Sequence, residues 1–104
     1  MNQLRSADYA ILQRYWVNYE KIVKELNSGK CRDVKRTQRM KEITAVIEYL
    51  FNSSSEDMQK VIQLSWWHRN QASEVSEDLF LPVSKVNRMQ RAILDATANY
   101  LLWI

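Results

Sequence analysis

Glycine and proline are nearly missing from this chain, with one of each in 104 residues, where ordinary usage supplies roughly seven and five. Sandwiches and barrels need many tight turns, and tight turns draw on those two residues. The scarcity therefore excludes most β architectures and points to an all-α protein. Cysteine also occurs once. Cys31 has no internal disulfide partner, which fits a reducing, cytoplasmic setting. No apolar run approaches the ~20 residues of a membrane helix; the longest lies at 100–104. The first ten residues, MNQLRSADYA, lack the apolar core of a secretory signal. The single histidine, His68, has no cysteine or carboxylate at metal-ligand spacing. No acid–base pair, nucleophile–base pair or phosphate-binding glycine loop is visible. The expectation is a protein that is not an enzyme, needs no cofactor and does not enter a membrane.

What is present is ordinary in amount and unusual in placement. Apolar residues make up 46% and charged residues 26%, which argues against disorder and for a single helical domain over 1–104. The net charge of +3, from 15 Lys+Arg against 12 Asp+Glu, is only mildly basic. Residues 30–41, however, hold the cations Lys30, Arg32, Lys35, Arg36, Arg39 and Lys41 against one anion, Asp33. Glu74, Glu77 and Asp78 form an acidic block, and Lys85, Arg88 and Arg91 follow without an intervening anion. Charge is sorted into blocks along the chain.

Apolar spacing predicts about five helices. Residues 7–26 carry Leu12, Trp16, Tyr19, Ile22, Val23 and Leu26 on one stripe, with Ser6 or Asp8 as the start cap and Gly29 as a left-handed end. Residues 35–51 carry Met40, Ile43, Ile47 and Leu50. These two amphipathic helices form an N-terminal part, 1–52, that could serve dimerisation. The part from 53 to 104 begins with a helix near Ser55, for which Ser53 with Glu56 and Ser54 with Asp57 offer capping-box spacing. Residues 68–70 break it. A short helix follows over 71–79, then a turn at Phe80, Leu81 and Pro82, then a helix from Val83 onward. In that last helix Val86, Met89, Ile93, Ala96, Tyr100 and Trp103 form a heptad-like seam, long enough to receive a partner helix.

Residues 71–94 make a candidate helix-turn-helix. Ser76 is small enough for the crossing point, and Val75, Leu79, Leu81, Val86 and Met89 or Gln90 are placed to lock the pair. Ser84, Lys85, Asn87, Arg88 and Arg91 fall on the free face of the second helix. Arginine and lysine pair with guanine edges and asparagine with adenine, so this face suits the major groove of double-stranded DNA. Gln71, Ser73 and the basic stretch with Lys30, Arg32, Lys35, Arg36 and Arg39 are candidate phosphate contacts. A solvated basic linker is the bland alternative for that stretch, and a core role is the alternative to base stacking for Trp66 and Trp67.

Residues 58–94 resemble region 4 of sigma factors and related regulators without a gap. Val61-Ile62-Gln63-Leu64-Ser65-Trp66-Trp67 is similar to the apolar helix ending in an aromatic pair. Ala72 to Leu79 falls on the first motif helix, and Val83-Ser84-Lys85-Val86-Asn87-Arg88 on the start of the recognition helix. Within that group the chain most resembles the RinA/ArpU type of phage late transcriptional activators, through Asn52 to Glu56, the tryptophan doublet, and Asn87-Arg88-Met89-Gln90-Arg91 followed by Ile93-Leu94. The resemblance implies a DNA-binding transcriptional regulator, an activator of phage or mobile-element genes in a bacterial host cytoplasm, with RNA polymerase as a further partner. A homodimer would read half-sites one or two helical turns apart. Three positions depart from the pattern: Phe80 replaces the turn glycine, Pro82 a polar residue and Asp78 an apolar one. A bulky residue disfavours positive φ, so another turn geometry is expected at Phe80. The departures keep two alternatives open, a terminase small subunit-like packaging protein and a sigma-like helical module that binds protein.

Overall fold

The computed structural model describes residues 4–29 and 32–101, and the elements among them are all helical. They are α1 (Ser6–Val17), α2 (Tyr19–Ser28), α3 (Val34–Ser53), α4 (Glu56–Ile62) with a π-helical continuation (Gln63–Trp67), α5 (Ala72–Leu79) and α6 (Val83–Tyr100). The count exceeds the expected five because the first expected helix is two. Asn18, at φ −97° and ψ 10°, leaves the helical path, and its N–H points back to the carbonyls of Arg14 and Trp16. Asparagine is a weak helix former, and the two halves have different partners. α1 packs on α6 and the π-helical turn, whereas α2 packs on α3.

The ends follow local chemistry. Asp8 does cap α1, but by reaching back from inside the first turn to the Arg5 N–H at 2.8 Å. Gly29 closes α2 at φ 67°, in the expected left-handed conformation. Asp33 caps α3 through the N–H groups of Lys35 and Arg36. The cap of α4 is Ser55, which accepts from the Met58 N–H at 3.2 Å, so neither expected capping box starts this helix. Ser54 instead donates back to the Leu50 carbonyl and finishes α3.

Two apolar clusters hold the helices together. The larger contains Leu12 and Trp16 of α1, Ile43, Ile47 and Leu50 of α3, Ile62 and Trp66, and Ile93, Leu94 and Ala98 of α6. It thus draws on both sides of residue 52. The smaller joins Val61, Val75 and Val86, flanked by Leu64, Ala72, Leu79, Leu81 and Met89. Val61 and Ile62 are neighbours on α4, so one turn of helix ties the two clusters. Each large apolar side chain fully buried in this way contributes about 1.5–3 kcal/mol. The seam expected to receive a partner helix is used inside the chain. Val86 and Ile93 are buried, and Met89 and Ala96 pack beside them. Trp103, the last member of that seam, lies outside the described residues. No helix among those described is long and apolar enough to cross a membrane.

Candidate nucleic-acid interface

The pair α5–α6 is joined by the turn Phe80–Leu81–Pro82 that the sequence predicts, but not with the geometry expected for it. Phe80 takes the left-handed conformation (φ 56°, ψ 39°) despite its bulk. The turn is held by a reciprocal bond: the Leu81 N–H donates to the Ser76 carbonyl at 3.1 Å, and the Ser76 hydroxyl donates to the Leu81 carbonyl. Ser76 therefore does more than leave room at the crossing. A left-handed non-glycine residue costs about 1–2 kcal/mol, which these bonds and the burial of Val75 and Val86 offset. The Phe80 ring is 93% exposed. Pro82, at φ −61° and ψ 145°, precedes α6 as its cap residue, and its carbonyl accepts from Lys85 and Val86.

α6 is anchored along its inner side. Val86 is fully buried, and Gln90 donates to the Ser65 hydroxyl at 2.9 Å. Further along, Thr97 accepts from the Trp16 indole. That anchoring leaves Ser84, Lys85, Asn87 and Arg88 exposed. Among the described residues, no ion pair engages Lys85 or Arg88. Arg91 is exposed too, but not idle. Its guanidinium lies 4.0 Å from the centre of the Tyr9 ring, and the Tyr9 hydroxyl donates to Asp95 at 2.6 Å. The hydrogen bond to Asp95 raises the Tyr9 pKa above its ordinary value. Arg91 is thereby held in position by α1.

The candidate phosphate contacts separate. Gln71 and Ser73 are exposed at the start of α5, but the Gln71 N–H is taken by the Glu74 carboxylate at 2.9 Å. A carboxylate thus stands where a phosphate would approach the helix end. Arg32 and Lys35 are exposed, and Lys30 lies outside the described residues, as does Cys31. Arg36 is paired with Glu25 at 3.3 Å and Arg39 with Glu42 at 3.0 Å. These two arginines face an open groove of about 490 Å³ between α1, α2 and α3, whose lining includes nothing from α5 or α6. Trp66 is core, in contact with Trp16 at 5.4 Å between ring centres. Trp67 stacks on Tyr19 and Phe51 and donates its indole N–H to the Trp16 carbonyl. Neither is offered as a stacking platform for bases.

The groove brings in two cations that the sequence analysis passed over, Arg14 and Lys21. Both are exposed, and no ion pair engages either among the described residues. Their signal was readable: 14, 18, 21 and 25 keep steps of four and three beside the apolar stripe. Comparison with known protein families, with curated proteins and with solved structures gave no match.

Proposed function

We propose that this protein is a sequence-specific DNA-binding transcriptional regulator that inserts α6 into the major groove through a sigma region 4-like helix-turn-helix. The observation that carries the reading is the row Ser84, Lys85, Asn87 and Arg88, exposed and unpaired at the start of a helix locked to α5 by Val61, Val75 and Val86. Polar and basic side chains placed at the front of such a helix are what base edges require. Arg91, aligned over Tyr9, fixes register on the phosphate backbone. On the resemblance, the genes regulated are those of a phage or mobile element, and the regulation is activation.

Selection of bound duplexes from a random-sequence pool at physiological salt tests this reading. Non-specific phosphate binding is suppressed under those conditions. Recovery of one short motif is the expected result. Recovery of no motif by the folded protein removes DNA reading and leaves the protein-binding module. That second reading is favoured by one observation, the exposed aromatic ring of Phe80 beside an acidic α5.

A further inference from the structure

Phe80 and the α1–α2–α3 groove are both unexplained by DNA binding. Phe80 occupies an unfavourable backbone conformation yet places its ring in solvent. Strain of this kind persists where something outside the local contacts repays it. The exposed ring also shows that it does not fill the groove of its own molecule. Beside it on α5 lie Glu77 and Asp78, both exposed. The groove is the converse. Its lining includes Ile22 and Met40, and Arg14 and Lys21 stand at it without acid partners.

We propose that the α5–α6 turn of one copy docks into the α1–α2–α3 groove of a second copy. The Phe80 ring lies against Ile22 and Met40, and Glu77 and Asp78 face Arg14 and Lys21. Four cations against one carboxylate line the groove, so its occupant is acidic. Its apolar lining calls for an apolar group as well, which a phosphodiester backbone does not bring. The turn of this same chain brings both. The two surfaces are different, so the contact is head-to-tail, and each bound copy still offers one free turn and one free groove. The inference does not depend on DNA binding.

Sedimentation equilibrium on the full chain tests it, at low salt and from roughly 10 µM to 1 mM, where small interfaces associate. Wild-type protein is expected to associate reversibly and without a closed stoichiometry, and to dissociate as salt screens the charges. The double variants Glu77→Lys with Asp78→Lys, and Arg14→Glu with Lys21→Glu, are each expected to associate at least about tenfold more weakly. All four positions are exposed, so both variants keep the wild-type circular dichroism spectrum. Mixed together, the two variants retain one intact groove and one intact turn, and they are expected to form a one-to-one dimer that grows no further. Wild-type protein that stays monomeric, a charge variant that associates like wild type, or a mixture that stays monomeric would each overturn the proposal. A DNA or acidic-protein occupant of the groove predicts the first of these.

Discussion

The Trp16 indole N–H donates to the Thr97 hydroxyl at 2.9 Å, across 81 residues of sequence, and that hydroxyl donates in turn to the Ile93 carbonyl at 2.6 Å. Thr97 is fully buried. The chain of bonds satisfies every polar atom at the place where α1 crosses α6, and it orients the helix whose other end carries the candidate reading face. Thr97→Val keeps the shape and strands the indole N–H. It is expected to cost about 1–3 kcal/mol, seen as a lower urea midpoint with unchanged slope. In a Trp16→Phe background the same change costs less, because no donor is left stranded.

Phe80→Gly is expected to separate stability from association. Glycine relieves a backbone penalty of about 1–2 kcal/mol, offset in part by about 0.5–1 kcal/mol of added freedom in the unfolded chain. Thermal unfolding should therefore show an unchanged or slightly higher Tm. Sedimentation of the same variant should show weaker self-association. A markedly lower Tm would mean that the ring supports the fold.

Lys85 and Arg88 should differ as DNA contacts. Arg88→Ala is expected to cost about 1–3 kcal/mol and to relax one base preference. Lys85→Ala, if its contact is to phosphate, weakens all sequences alike and lowers the salt slope by about one. Tyr9→Leu removes the ring beneath Arg91 and should weaken binding severalfold without altering the selected motif. Fluorescence anisotropy at several salt concentrations distinguishes the three.

Tyr19 supplies a pH prediction. Burial, and then the hydrogen bond to Glu48 at 2.6 Å, raise its pKa to about 12. Its unfolded value is near 10. Between these values the native state keeps a proton that the unfolded state has lost. The contribution is therefore complete below about pH 10 and disappears as pH rises toward 12. Absorbance titration of tyrosinate should show a late phase near pH 12 that Tyr19→Phe removes.

Head-to-tail docking has a consequence for any operator. Copies related by translation along DNA read direct repeats, whereas a two-fold dimer reads inverted ones. Duplex selection at concentrations that permit association should enrich tandem motifs in one orientation. Enrichment of palindromes would speak against this contact on DNA.

The helical character was legible because Met40, Ile43, Ile47 and Leu50 repeat at helical spacing and Gly29 punctuates the chain. The lock formed by Val75, Leu79, Leu81 and Val86 was legible for the same reason. The break at Asn18 was not, because the apolar stripe runs through it and only the change of packing partner, a tertiary fact, reveals it. The left-handed Phe80 was missed because propensity argues against it, and the Ser76–Leu81 bonds that hold it there do not show in residue order. The groove was missed because attention followed apolar positions and passed over Arg14 and Lys21 beside them.

The π-helical turn at Gln63–Trp67 closes through the His68 N–H on the Gln63 carbonyl, one residue wider than an α-helical turn. In register terms it is a helix carrying one inserted residue. Everything downstream, α5 and α6 included, is rotated by about 100° and advanced by about 1.5 Å relative to an uninterrupted helix. A single-codon deletion there would swing the whole C-terminal pair to a new bearing on the core without altering one side chain of either helix. The aim of α6 is set by the length of the preceding element as much as by its own composition.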